Sequence, residues 1–167
     1  SIPNSITDIK SEAFSGCTSL TYFKGGNFLT KIGYNAFYGC SNLTTFDIPN
    51  TVTEIGKYAF CGCKSLTSIN IPNNVTKIEE STFAGCSALT SVLIPNSIKE
   101  IDKYAFQLCS SLTSITIPNS ISTIRESTFE YCQKLTNIII PNSVETIEKN
   151  AFYACLNLSS LKIPDSV

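Results

Sequence analysis

Eight cysteines and no histidine set the range of chemistry this chain can offer. Seven of the thiols, Cys17, Cys40, Cys63, Cys86, Cys109, Cys132 and Cys155, stand 23 residues apart. Regularly spaced thiols can pair as disulfides, ligate zinc or act as nucleophiles once deprotonated. Geometry argues against pairing within such a series. Units stacked about 4.8 Å apart keep their Cβ vectors parallel, whereas a disulfide needs Cβ atoms roughly 3.5–4.5 Å apart and facing each other. The seven are therefore expected to be buried thiols filling a narrow slot, as free cysteine commonly does. Cys61 is out of step, in a column otherwise holding Ser15, Tyr38, Ala84, Gln107, Glu130 and Tyr153. That column reads as solvent-facing, so Cys61 is predicted to be the one reachable thiol.

Other catalytic signals are weak. Cys61-Gly62-Cys63 alone does not make a zinc motif, and the chain has neither a Gly-rich phosphate loop nor a Gly-x-Ser-x-Gly elbow. Glu79 and Glu80 are adjacent carboxylates, but neighbours in a turn more often point apart into solvent than converge on a substrate. An enzyme is the least favoured class, and no cofactor or metal is called for. With 12 basic and 13 acidic residues and a net charge of -1, the chain lacks the electrostatic footprint that nucleic acid or an anionic membrane would select. No apolar stretch approaches the roughly 18 residues of a membrane span, so no membrane insertion is expected of this segment.

The elements that position these residues follow from the same period. Phenylalanines at 14, 37, 60, 83, 106, 129 and 152 and leucines at 20, 43, 66, 89, 112, 135 and 158 keep the cysteine register. A repeat of this length means stacked supersecondary units with a shared core, which 43% hydrophobic content and a mean hydropathy of +0.13 can supply. In one unit, Ile69 and Ile71 alternate with Ser68 and Asn70, the period of a short strand with one face inward. Pro72 ends it, since proline has no N–H for a neighbouring strand. An Asn column (4, 27, 50, 73, 96, 119 and 142) follows, suited to a turn and to a ladder of side-chain bonds. Val75 and Ile78 then mark a second short strand. Phe83, Cys86 and Leu89 recur at spacing three, which one turn of 3₁₀ or α-helix would put on a common inward side. Gly16, Gly39, Gly62 and Gly85 precede the cysteine in the first four units, consistent with a tight backbone approach; Leu108, Tyr131 and Ala154 replace them later, so a positive φ is not expected to be obligatory.

The fold class predicted is a repeat solenoid with short parallel strands on one face and a second short strand and 3₁₀ or one-turn helices on the other. Residues 1–167 form a single array of about seven repeats. Neither end carries a polar capping unit, so the array is expected either to be a segment of a longer protein or to stack end to end, and such self-association is the alternative functional class.

The combined pattern Leu-x-x-Ile-x-Ile-Pro-x-x-Val-x-x-Ile-x-x-x-Ala-Phe-x-x-Cys, as in Leu66 to Cys86 with Thr82 in the Ala place, resembles the BspA-like, Treponema-type leucine-rich repeat surface proteins. The resemblance covers all 167 residues. It departs from the commoner leucine-rich consensus, because the regular Asn comes seven residues after the first Leu, behind a Pro, so curvature is not carried over from that class. What it implies is a non-catalytic protein-binding or adhesion module of a cell-surface or secreted protein, engaging host, matrix or cell-surface proteins through its exposed strand face.

On that face the outward positions include Tyr22, Lys24, Asp47, Asn70, Leu93, Thr116 and Ile139. Most of the face is small and polar and offers few anchors, since interface energy concentrates on Tyr, Trp and Arg. Tyr22 and Lys24 adjoin Gly25-Gly26, which replace the usual Ile-Pro, and Phe28 occupies a column otherwise restricted to Ser, Thr and Asn. Tyr22, Lys24, Phe28 and Asp47 are therefore the best local contact patch, against the plainer reading that this repeat has degenerated. Elsewhere, Asp8, Lys31, Glu54, Lys77 and Glu100 alternate in sign, as do Lys57, Glu80, Lys103, Glu126 and Lys149. These columns are read as ladders that set repeat order. The second one exposes a 46-residue superperiod, Lys-Tyr-Ala-Phe alternating with Glu-Ser-Thr-Phe. Three Asn-x-Ser/Thr sequons, at Asn42, Asn74 and Asn157, permit glycosylation if a eukaryote secretes the protein.

Overall fold

The computed structural model describes residues 2–167. The chain winds into stacked coils, each contributing one three-residue and one two-residue strand. The three-residue strands are β2 (Tyr22–Lys24), β4 (Thr45–Asp47), β6 (Ser68–Asn70), β8 (Ser91–Leu93), β10 (Ser114–Thr116) and β12 (Asn137–Ile139). The two-residue strands are β1 (Asp8–Ile9), β3 (Lys31–Ile32), β5 (Glu54–Ile55), β7 (Lys77–Ile78), β9 (Glu100–Ile101), β11 (Thr123–Ile124) and β13 (Thr146–Ile147). Every pairing is parallel and offset by one repeat, as in Ser68↔Ser91 and Asn70↔Leu93. Each three-residue strand buries its middle residue and exposes the two beside it, which is the alternation its sequence dictates.

Hydroxyls reinforce the stack at two corners. Thr44, Thr67, Thr90, Thr113 and Thr136 each donate to the carbonyl of the threonine one coil earlier, at 2.8–3.4 Å. After the Pro-Asn corner, Thr51, Ser97, Ser143 and Ser166 donate to a carbonyl of the preceding coil at 2.6–2.8 Å, and Ser120 does the same to Ile98. The Asn column expected to form a ladder contributes less regularly: Asn27 N–H donates to Asn4 Oδ1 at 2.9 Å.

The remaining side of each coil corrects the helix expectation. It is a run of turns. In the first coil Ser15 N–H donates to Glu12 O, Cys17 N–H to Phe14 O and Leu20 N–H to Cys17 O, while Glu12, Phe14 and Gly16 N–H groups donate to Tyr34, Ala36 and Tyr38 of the next coil. The cause is two left-handed residues per coil. Glu12, Asn35, Tyr58, Ser81, Tyr104, Ser127 and Asn150 have φ of 52–62°, and so does the pre-cysteine column, with Leu108 at 61°, Tyr131 at 59° and Ala154 at 57°. No helix survives two left-handed residues four positions apart; alternate N–H groups swing out to the neighbouring coil instead. Positive φ is thus retained where Gly is lost, contrary to expectation. Nor do the glycines mark a tight approach: a Cβ on Gly62 would meet Gly39 Cα at 3.6 Å, ordinary contact, so glycine serves the conformation.

One continuous core runs through the coils. Its spine is the phenylalanine column, with Phe37, Phe60, Phe83, Phe106 and Phe129 fully buried and successive rings stacked at centroid distances of 5.1–5.8 Å. Phe23 and Phe46 replace the usual aliphatic strand residue and meet this spine edge-on. Gly25 lies beneath Pro49, whose Cδ would come within 2.6 Å of a Cβ there. The irregular second repeat is closely packed.

Candidate ligand-binding face

The outward residues of the three-residue strands make one face of the solenoid, and its two halves differ. In the first half Tyr22 Oη donates to Asp47 Oδ2 at 2.9 Å, a bond that raises the phenol pKa. Lys24 stands opposite Asp47 in the β2–β4 register. Phe28 sits past the Gly25-Gly26 corner in the hydroxyl-staple column and is 62% exposed. Sequence-level reasoning grouped four residues here; a direct bond joins two of them.

The second half carries bare aliphatics. Leu93 is 73% and Ile139 60% exposed, on either side of Thr116. Over this column runs a groove of about 540 Å³, lined by Ser91 and Ser114, by Leu93 and Thr116, and by Asn73 and Asn96, with buried Pro72 and Pro95 also in its lining. A second hollow of about 370 Å³ continues it past Ile139 and Asn142 to Lys162.

The other charged and polar side chains largely engage one another. Lys31–Glu54 at 2.8 Å and Lys77–Glu100 at 3.5 Å are rungs of the first charge ladder, and Lys77 also reaches Glu79 and Asp102 at 3.1 and 3.3 Å. In the second ladder Glu80 takes Lys57 at 3.3 Å, Lys103 at 3.6 Å and the Tyr58 hydroxyl at 2.9 Å. Tyr104 and Lys149 hold Glu126 in the same way, at 3.0 Å each. That clasp explains the 46-residue superperiod: the tyrosine of one coil grips the glutamate of the next, lysines from the flanking coils pair with it, and the Ser81 or Ser127 beside it is small and buried. Glu79 and Glu80 turn to different partners. Among the described residues no group of three or more His, Cys, Asp or Glu side chains could hold a metal ion.

The cysteine column is a hydrogen-bonded ladder. Cys40, Cys63, Cys86, Cys109, Cys132 and Cys155 each direct Sγ at a phenylalanine carbonyl of the preceding coil, at 3.1–3.3 Å. The Cys17, Cys40, Cys63, Cys86, Cys109 and Cys132 N–H groups occupy the same oxygens. Burial pushes Cys40 and Cys155 up to about 11 and the four thiols between them further. Two expectations change. Cys17 is exposed and Cys155 only half-buried, because neither is enclosed between two coils; and Cys61 is half-buried, its pKa raised by desolvation rather than lowered as a reactive thiolate requires. The sequon residues Asn42, Asn74 and Asn157 are all exposed, but Asn74 Nδ2 donates to Asn50 O at 2.7 Å.

The model of the BspA type leucine rich repeat region matches residues 1–111 and 53–167, in 6 copies. The chain belongs to the BspA-type leucine-rich repeat family. Within solved structures of such repeats it is similar to the Treponema pallidum leucine-rich repeat protein TpLRR, at 32% identity and a TM-score of 0.88, over 92% of this chain and 72% of that one. A leucine-rich repeat protein from Eubacterium ventriosum is similar at 31% identity and a TM-score of 0.74, over 88% of this chain and 40% of that one. One from Bacteroides ovatus, at 22% identity and a TM-score of 0.57, over 98% of this chain and 60% of that one, shares the fold. No curated protein sequence matches the chain. A BspA-type repeat array is in general a non-catalytic scaffold, and among the described residues no helix is long and apolar enough to cross a membrane. What sequence-level reasoning missed in this BspA-type array is the groove. The aliphatics on its face, Leu93 and Ile139, were visible in sequence as an alternation that follows the 46-residue superperiod of the charged column, but the corner that shapes the groove was not.

Proposed function

We propose that this chain is a non-catalytic protein-binding module of a cell-surface or secreted protein, acting in adhesion through the outward face of its three-residue strands. The observation that carries this reading is the contrast between Leu93 and Ile139, left 73% and 60% exposed on that face, and the charged ladders elsewhere, whose groups satisfy one another. Apolar side chains held on a rigid sheet lose little freedom on binding, and an aromatic or aliphatic anchor in a polar surround is the usual anatomy of an interaction surface. Tyr22, Lys24, Asp47 and Phe28 extend the same surface in its first half. Membership of the BspA-type family supports a protein ligand from a host, the extracellular matrix or another cell.

Two measurements test this. Immobilised matrix proteins presented to the chain and to a Leu93→Asp/Ile139→Asp variant of unchanged melting temperature should retain only the former; equal retention, or none of either, removes the strand face as the binding surface. Protease added to intact cells of the source organism should remove the chain if it is displayed, and survival of the chain there would remove the surface assignment.

A further inference from the structure

We infer that the strand face, from the groove at Leu93, Asn73 and Asn96 to the hollow at Ile139 and Asn142, accepts a polypeptide segment in the polyproline II conformation, with apolar side chains three residues apart and an acidic residue beyond the second. This rests on the strand face being the binding surface and names the class of partner it takes.

The spacing selects the conformation. Leu93 and Ile139 lie two coils apart, about 9.6 Å for parallel chains stacked at ~4.8 Å. One turn of polyproline II, three residues at 3.1 Å each, repeats its side chains every ~9.3 Å. A β-strand repeats its side chains every ~6.8 Å on one side, which does not match this spacing. A helix of about 10–12 Å diameter satisfies its own backbone groups and has no use for a polar wall. That wall is the second argument. Asn73, Asn96, Asn119 and Asn142 are all exposed, one carboxamide per coil, each able to donate and to accept. Polyproline II has no internal hydrogen bonds, so its carbonyls are free to take such donors. Pro72 and Pro95, buried in the groove lining, withhold any competing N–H.

Charge sets the direction. From Asn70 to Ile139 the outward column is neutral, and the hollow past Ile139 ends on Lys162, a cation outside the ion pairs found among the described residues. The complementary segment is uncharged along the groove and acidic where it passes Lys162. Burial of two aliphatic side chains against Leu93 and Ile139 provides the affinity, and the asparagines and Lys162 provide register.

The test uses fluorescence anisotropy with the whole chain and a fluorescein-labelled, proline-rich nonapeptide bearing two leucines three residues apart and an aspartate two residues after the second. A peptide with the leucines two apart is the spacing control. We expect the control, and separately Leu93→Ser and Ile139→Ser, to weaken binding about tenfold, the loss of one good apolar anchor. Lys162→Ala should weaken the aspartate peptide about threefold and leave its asparagine counterpart unaffected. Lys134→Ala, exposed on the turn side and away from the strand face, should change nothing. All four side chains are exposed, and an unchanged melting temperature confirms the fold. Equal binding of both spacings, or no binding of the matched peptide at about 1 mM, a Kd worth only about 4 kcal/mol, overturns the inference. If matrix proteins are still retained through Leu93 and Ile139 in that event, the binding module stands and only the peptide assignment falls.

Discussion

The turn side and the strand face are built from the same repeat and obey opposite rules. On the turn side, phenylalanine and cysteine recur in every coil, each phenylalanine carbonyl from Phe14 to Phe106 receives both an N–H and a thiol, and no buried side-chain nitrogen or oxygen among the described residues lacks a partner. On the strand face the inward residue is held to Phe, Ile or Val through β12, while the outward one runs through Lys24, Asp47, Asn70, Leu93, Thr116 and Ile139. Where the backbone and core set the requirement, the column is uniform; where only solvent meets the side chain, it is free to vary. Function in such a molecule is therefore to be sought in the columns that change, and stability in those that do not.

The sharpest way to break this contrast is to truncate both sides equally. Phe83→Ala removes a ring stacked on Phe60 and Phe106 and should cost about 3–5 kcal/mol in urea unfolding, whereas Leu93→Ala should lie within about 0.5 kcal/mol of wild type, as for an exposed position. If the two costs were similar, the strand face would be structural and its exposed aliphatics would need another explanation. Next in size is the thiol ladder. Cys86→Ala loses both the sulfur's packing and its bond to Phe60 O and should cost about 1–3 kcal/mol; Cys17→Ala, at an exposed position, should again be within about 0.5 kcal/mol.

Much of the strand architecture was legible in the residues themselves. Proline has no N–H, so the column at 49, 72 and 95 had to end each strand, and charges alternating at Lys31, Glu54, Lys77 and Glu100 had to meet across a 23-residue register. What stayed hidden was the left-handed column Glu12, Asn35, Tyr58, Ser81, Tyr104, Ser127, Asn150. Only its two asparagines hint at positive φ, because the conformation is imposed by bonds to the neighbouring coil and not by the side chain. The same holds for the face. Exposure of Tyr22, Leu93 and Ile139 followed from strand alternation, but the groove depends on how the Pro-Asn corner carries Asn73 and Asn96 past the strand, and no residue type encodes that turn. The Tyr22–Asp47 bond likewise needed coordinates, since it crosses from one strand to the outer position of the next.

Left-handed strain offers a smaller test that sharpens the comparison within the turn side. The first four coils place Gly16, Gly39, Gly62 and Gly85 at the pre-cysteine position and the later ones Leu108, Tyr131 and Ala154. A Cβ there faces the following carbonyl at a cost of about 1–2 kcal/mol, partly offset by the greater chain entropy that glycine loses on folding. Leu108→Gly should therefore stabilise the protein by about 0.5–1 kcal/mol, and Gly62→Leu should destabilise it by a similar amount. Opposite signs at positions of the same φ, 61° and 74°, would show that conformation governs this column. Loss of stability in both would mean that the Leu108 side chain contributes contacts exceeding its strain.

The smallest effect belongs to the charged clasp, which couples the two kinds of column because it is uniform in role but alternates in sign. Burial favours the neutral form of Glu80, but the Tyr58 hydroxyl and the Lys57 and Lys103 ammonium groups outweigh it and hold the carboxyl below its usual value. A group whose folded pKa is depressed contributes stability above its unfolded pKa and loses it as pH falls through the folded one. The Glu80 contribution should thus be present at neutral pH and fade on acidification below the ordinary glutamate range. Glu80→Gln should be less stable than wild type at pH 7 by a few tenths to about 1 kcal/mol, as for a partly exposed ion-pair network, and the gap should close as pH falls below the ordinary glutamate range, where the wild-type carboxyl protonates. Tyr58→Phe should shift that closure upward in pH, since it removes a hydrogen bond made to the charged carboxylate. A gap that stays constant with pH would show that Glu80 contributes by packing against Tyr58 and not through its charge.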